Sequence, residues 1–121
     1  EQDFEVVVPD SIGARPEALE LFRRTVESVR EAYAAFRRMG IPGEDARFVL
    51  PNAVTSEIVF SANFRQLRHM IRLRGERRAQ WEIRRVFVEI LRLMKERSPL
   101  VFGDLEIDAE RECVVVVPGD G

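Results

Sequence analysis

The residues with most chemical capacity are concentrated in positions 46–85, which read ARFVLPNAVTSEIVFSANFRQLRHMIRLRGERRAQWEIRR. Arg47, Arg65, Arg68, Arg72, Arg74, Arg77, Arg78, Arg84 and Arg85 all lie there. A guanidinium is a planar fork that grips phosphate or carboxylate through two parallel hydrogen bonds. The stretch therefore points to an anionic ligand. Covalent catalysis finds no support in the rest of the chain. Cys113 sits in a valine-rich run and reads as a packed thiol. His69 is the only histidine and cannot build a metal site alone, so no metal is expected. Gly40 and Gly43 flank Ile41-Pro42 and match no phosphate-binding glycine loop.

Those arginines need elements to hold them. Residues 4–8 read as a short strand that Pro9-Asp10 ends, followed by a loop over 11–15. Pro16 suits the first turn of a helix that runs to about Met39, with Glu17 and Glu20 at its positive end. Leu19, Phe22, Val26, Val29, Tyr33 and Phe36 form its apolar stripe. That stripe can pack within its own domain or on another chain. Gly40 supplies a left-handed cap and Pro42 bars resumption. Residues 44–50 read as a short helix. Residues 55–60 are β-branched and apolar, and fit either a strand or a buried helical turn.

Ser61 or Asn63 can cap a helix running to about Leu73, with Gly75 just beyond. Phe64, Leu67 and Ile71 share one face of it, and Arg65, His69 and Arg72 the opposite face. If that helix continues past Leu73, Arg74 falls on the apolar side, where a charge needs an anionic or carbonyl partner. If it ends first, Arg74 bonds the last free carbonyls. A second helix is predicted over 79–97, with Ile83, Phe87, Ile90 and Met94 as its stripe and Pro99 as its stop. Residues 105–107 and 113–117 read as strands of a hairpin turning through 108–111, and residues 118–121 as a frayed end.

A chain of 121 residues suits a single domain, 1–121, with a real core. The elements make it α+β, helix-dominated with short strands. Formal net charge is −2 although 33% of residues are charged. The global basic charge of a nucleic-acid binder is thus absent, and the positive charge is local. Arginine outnumbers lysine eighteen to one; a GC-rich genome accounts for much of that count, and function for the clustering. One cysteine excludes an internal disulfide, and no apolar run approaches the ~20 residues of a membrane span. A cytoplasmic location is expected.

The pattern Ala46-Arg47-x-Val49-Leu50-Pro51, then Thr55, then Asn63-x-Arg65-x-Leu67-x-x-x-Ile71-x-Leu73-Arg74, then Ala79-Gln80-x-Glu82-Ile83-Arg84 resembles the C-terminal half of the flavin-dependent thymidylate synthases. The match extends over nearly the whole chain in order and spacing. The resemblance implies methylation of dUMP to dTMP, with a one-carbon unit from methylenetetrahydrofolate and a hydride from FAD that NADPH reduces. It implies no protein nucleophile, in keeping with the lack of one here. By position, Arg47 and Arg74 would contact dUMP, Arg74 also acting catalytically at the uracil ring. Asn63, Arg65, His69 and Arg78 would contact FAD, although some members carry histidine where Arg78 stands.

The resemblance also implies homotetramers whose sites combine subunits. The family's Arg-His-Arg motif, followed seven residues later by Ser, does not occur in these residues. The expectation is therefore an incomplete part of the enzyme, inactive without an N-terminal fragment. Two readings from other classes stand beside it: a non-catalytic arginine-rich helical module that binds nucleotide or RNA, and an oligomerisation domain built on helix 16–39. Bound flavin separates the first from both.

Overall fold

The computed structural model describes residues 4–118. They fall into two compact units divided between Ile58 and Val59. Helices dominate both, and the one two-stranded sheet among the described residues makes the class α+β, as expected.

The first unit is built on a long helix. A short helix α1, Asp10–Gly13, occupies part of the stretch expected to be loop, and Pro9 stands at its N-cap. Pro16 then opens α2, Pro16–Arg38, which is about 35 Å long at the usual rise per residue. Val26 is its buried position, and Leu19, Phe22, Val29, Tyr33 and Phe36 are half-buried beside it. Gly40 takes the left-handed conformation at φ 86°, where a side chain would be strained. Helix α2 does not resume past Pro42, which stands instead at the N-cap of α3, Gly43–Ala46. This runs into a 3-10 turn, Arg47–Val49, so the short helix expected over 44–50 is present in two pieces.

The expected strand at 4–8 is a single antiparallel bridge, Val6 to Val54. Val7 N–H donates to the Ala53 carbonyl at 2.8 Å and Thr55 N–H to the Glu5 carbonyl at 2.9 Å. Neither expected form appears at 55–60, which is irregular and exposed throughout. Val59 is 99% exposed. β-branching favours a pleated surface only where a neighbouring strand supplies partners. Among the described residues no backbone hydrogen bond carries the ladder past Thr55.

The second unit has the larger core. Its helix α4, Phe64–Arg74, starts in a full capping box: Asn63 Oδ1 accepts from Gln66 N–H at 2.8 Å, and Gln66 Oε1 accepts from Asn63 N–H. Helix α5, Trp81–Arg97, starts on Gln80, whose side-chain oxygen accepts from the N–H groups of Glu82 and Ile83. Pro99 ends α5 but also starts a four-residue helix, α6, Pro99–Phe102, because proline is well suited to a first helical turn. Strands β1, Leu105–Asp108, and β2, Cys113–Val116, pair antiparallel with Leu105 opposite Val116 and Asp108 opposite Cys113. Asp108 Oδ1 accepts from the N–H groups of Glu110 and Arg111 and so shapes the connecting turn. Within 118–121 only Pro118 is described, so the expected frayed end lies mostly outside the described residues.

Ile71, Phe87, Val88, Leu91, Phe102, Leu105 and Val114 form one buried cluster. The inward stripe of α5 is thus centred on Phe87, Val88 and Leu91, with Ile90 and Met94 at its margin and Ile83 exposed. Gly75 follows α4 where no side chain fits. A Cβ there would lie 2.5 Å from Val114 Cγ2 and 2.6 Å from the Ile71 carbonyl oxygen. That close approach lets the Gly75 carbonyl accept from Val114 N–H at 2.8 Å, joining the end of α4 to β2.

A bidentate ion pair ties α4 to the segment that follows α6. Arg68 donates from both terminal nitrogens to the two oxygens of Asp104, at 2.7 and 2.8 Å, and from Nη1 to the Val101 carbonyl at 2.6 Å. The bond from Arg68 holds the Asp104 carboxyl below its usual range. A depressed folded-state pKa stabilises the fold above the ordinary aspartate range, about pH 4, and that contribution disappears as pH falls through the lower folded value. The Asp104 side chain is 44% exposed, so solvent screening limits the effect. Asp104→Asn is expected to cost about 1 kcal/mol at neutral pH and to flatten the fall in stability below about pH 4, read by denaturant titration across pH. An unaltered acid limb would show that another carboxylate controls it.

Candidate functional site

The helix α4 presents its two faces as the spacing predicts. Ile71 is fully buried and Leu67 half-buried, while Arg65, His69 and Arg72 are exposed on the far side. Phe64, at the helix start, is 48% exposed but still meets Phe102 edge to face at 5.7 Å between ring centroids. His69 and Arg72 line one side of a groove of about 420 Å³. Leu73, Glu76, Val114 and Val116 complete it. Its lining combines a cation, an imidazole, one carboxylate and three apolar side chains.

The arginines of 46–85 divide into two sets. Arg68, Arg84 and Arg85 are committed to the fold. Arg68 holds Asp104. Arg84 donates to the carbonyls of Arg77, Ala79 and Glu112. Arg85 donates to Glu112 Oε2 at 2.8 Å and lies over the Trp81 ring. Arg47, Arg65, Arg72, Arg74, Arg77 and Arg78 are exposed, and no hydrogen bond or ion pair joins their side chains to described residues. Sequence spacing alone does not separate the two sets, because both kinds alternate along the same stretch.

Arg74 departs from both sequence expectations. It is the last residue of α4, so the helix does include it, yet its side chain is exposed rather than packed beside Leu67 and Met70. The helix ends there and the chain turns at Gly75, so the apolar face does not extend to cover it. Nor does it bond the last carbonyls: the Ile71 carbonyl accepts from Gly75 N–H at 2.8 Å instead. Arg74 is therefore a fixed-backbone, solvent-facing cation.

Arg78 is exposed in the turn between α4 and α5. Asn63 has its carbonyl oxygen committed to the capping box, which leaves its amide NH₂ as the group able to meet a ligand. Asn63, Arg65, His69, Arg74 and Arg78 thus belong to one continuous segment of the second unit. Arg47 belongs to the first unit, in the 3-10 turn. There it lines a hollow of about 610 Å³ whose other walls include Tyr33, Thr55, Ser56 and Glu5. The guanidinium and three hydroxyls can donate to ligand oxygens there, while the Glu5 carboxylate can accept from ligand hydroxyls. Among the described residues no three His, Cys, Asp or Glu side chains gather as metal ligands. No helix of the described residues is long and apolar enough to cross a membrane.

Known proteins resemble this chain over most of its length. The sequence model of the family described as thymidylate synthase complementing protein matches residues 1–100. A flavin-dependent thymidylate synthase from Geobacter sulfurreducens is 45% identical over 101 residues, 84% of this chain and 44% of the relative. One from Corynebacterium glutamicum is 40% identical over 121 residues, 88% of this chain and 48% of the relative. One from Mycolicibacterium vanbaalenii is 37% identical, over 88% of this chain and 49% of the relative. The chain spans about half the length of the curated relatives it matches.

Proposed function

The chain belongs to the family of thymidylate synthase complementing proteins, and from that premise we propose that it supplies the arginine-borne nucleotide and flavin contacts of a flavin-dependent thymidylate synthase. The observation that carries this reading is the division of the arginines. Arg47, Arg65, Arg74 and Arg78, the ones expected to meet ligand, are exposed and unpaired, whereas Arg68, Arg84 and Arg85 are committed to internal bonds.

The donor set suits FAD. Arg65 and Arg78 offer unpaired guanidinium groups to its diphosphate, His69 offers a ring in a groove also lined by Leu73, Val114 and Val116, and Asn63 retains its amide donors. When bound, the flavin would supply the hydride that reaches the pyrimidine. Arg47 would grip the nucleotide of dUMP. Arg74 would hold a fixed positive charge at the uracil carbonyl, stabilising negative charge as it builds there. Methylenetetrahydrofolate as methyl donor, NADPH as reductant, a cytoplasmic homotetramer and the dUMP-to-dTMP reaction itself complete the proposal. The Arg-His-Arg…Ser motif does not occur in these 121 residues, and with it a further group of flavin and phosphate donors is lacking. The chain by itself is accordingly proposed to be inactive until an N-terminal fragment provides them.

Flavin retention by the full-length protein is the direct test. Arg65→Ala together with His69→Ala is expected to weaken FAD binding about tenfold or more, and further than either change alone, as measured by equilibrium dialysis. The two side chains lie one helical turn apart and would meet the same ligand. Unchanged affinity in the double variant would reduce that face to solvated surface. Salt-dependent binding of random RNA by a flavin-free wild-type protein would favour the arginine-rich module instead.

A further inference from the structure

The turn between α4 and α5 carries Arg77 and Arg78, and it has no regular structure of its own. Two attachments hold it. At its start, the Gly75 carbonyl accepts from Val114 N–H of β2. At its end, the half-buried guanidinium of Arg84 donates from Nη1 to the Arg77 carbonyl at 3.0 Å and to the Ala79 carbonyl at 3.2 Å. The same side chain reaches the hairpin through Nε, which donates to the Glu112 carbonyl at 3.0 Å.

Glu112 is placed to receive it. Its backbone takes φ +52°, an uncommon conformation for a residue with a side chain. Its carboxylate accepts from Arg85 while its carbonyl accepts from Arg84. Consecutive arginines of α5 therefore hold both polar ends of one hairpin residue. Gln80 fixes the start of the same helix. The backbone on either side of Arg78 is thus tied to a rigid helix, while the Arg77 and Arg78 side chains remain exposed and unpaired. Affinity for an anion depends on donors fixed before the ligand arrives.

We propose that Arg84 is a positioning residue: by joining the carbonyls of Arg77, Ala79 and Glu112 it fixes the turn from which Arg77 and Arg78 meet the diphosphate of a bound dinucleotide. This rests on the flavin reading for the identity of the ligand. The clamp itself does not depend on it. Lysine cannot substitute, because its one ammonium is a single point of donors and cannot reach acceptors approached separately from Nε and Nη1.

Two measurements on the full-length protein test the proposal. Amide hydrogen exchange across residues 75–80 reads the clamp without any ligand. Arg84→Lys is expected to speed it about tenfold or more, while α5 beyond its first turn keeps its protection. Arg84→Gln serves as a second variant if the lysine protein does not fold. Unchanged exchange in the folded variant overturns the proposal. The second measurement is the FAD dissociation constant in wild type, Arg84→Lys, Arg78→Ala and the double variant. Each single change is expected to weaken binding several-fold, and the double change by clearly less than their product, because Arg84 acts through Arg78. A full product means that Arg84 only supports the fold, and overturns the proposal. Failure of the wild type to bind FAD sinks the flavin reading instead, and the exchange measurement then decides the clamp by itself.

Discussion

Arg74→Ala in the full-length protein is expected to lower dUMP methylation roughly 100-fold, a loss of about 3 kcal/mol of transition-state stabilisation, with FAD still bound. Arg74 sits on the last turn of a capped helix, and its neighbour Gly75 is bonded to β2. Its backbone is consequently fixed while its guanidinium is exposed and unpaired. A cation held in that way loses little freedom when a carbonyl oxygen arrives beside it. Its value is greatest when that oxygen gains negative charge, so removal should fall on kcat more than on flavin retention. Arg72→Ala is the informative comparison, since Arg72 is another exposed cation on the same helix and is not assigned to the pyrimidine. Turnover by Arg74→Ala within a few-fold of wild type would remove Arg74 from the catalytic role.

Phe102→Ala is expected to cost about 3–5 kcal/mol of stability, read from the midpoint of denaturant unfolding. Phe102 is completely buried, and it is the largest side chain to be so in the second unit. It also meets Phe64 edge to face, so its loss removes both buried area and a ring contact. Leu100, two residues away in the same short helix, is 99% exposed. Leu100→Ala should therefore change stability by no more than about 0.5 kcal/mol. A larger cost for Leu100→Ala than for Phe102→Ala would mean that α6 packs with the opposite face inward.

The contrast between Leu100 and Phe102 shows where sequence reading loses resolution. Long periodic segments are legible: α2, α4 and α5 lie within a residue or two of their expected bounds, and the hairpin follows its valine run and Asp108 turn. Short helices are legible only in part. The one expected over 44–50 is present as α3 and the 3-10 turn, but α1 and α6 are not foreseen. Pro99 both stops α5 and opens α6, because proline suits a first helical turn. Residues 55–60 have the composition of a strand but pair with no partner among the described residues beyond Thr55, and pairing is a property of the fold rather than of the segment.

The site is legible to a similar depth. One exposed face for Arg65, His69 and Arg72 follows from helical spacing alone. The exposure of Arg74 does not, since an ideal helix places it beside Leu67, and only the turn at Gly75 removes the cover. The roles of Arg68, Arg84 and Arg85 were hidden because their acceptors, Asp104 and Glu112, lie 27 to 36 residues away in sequence. The Gln80-x-Glu82-Ile83-Arg84 run was the available signal. A helix-capping glutamine followed four residues later by arginine brings that guanidinium back over the preceding turn.

Cys113 is the one cysteine in the 121 residues, and it is 2% exposed at the first position of β2, adjacent to the Val114 that bonds Gly75. A thiol so placed reacts with a reagent in solution only when the hairpin lifts. The rate of its labelling is then the intrinsic thiol rate multiplied by the fraction of time spent open. The protein thus carries a clock of its own at the strand that anchors the end of α4. Labelling of the Cys113 peptide, followed by mass, with and without nucleotide or flavin would time whether ligand alters the opening of the hairpin, with no activity required.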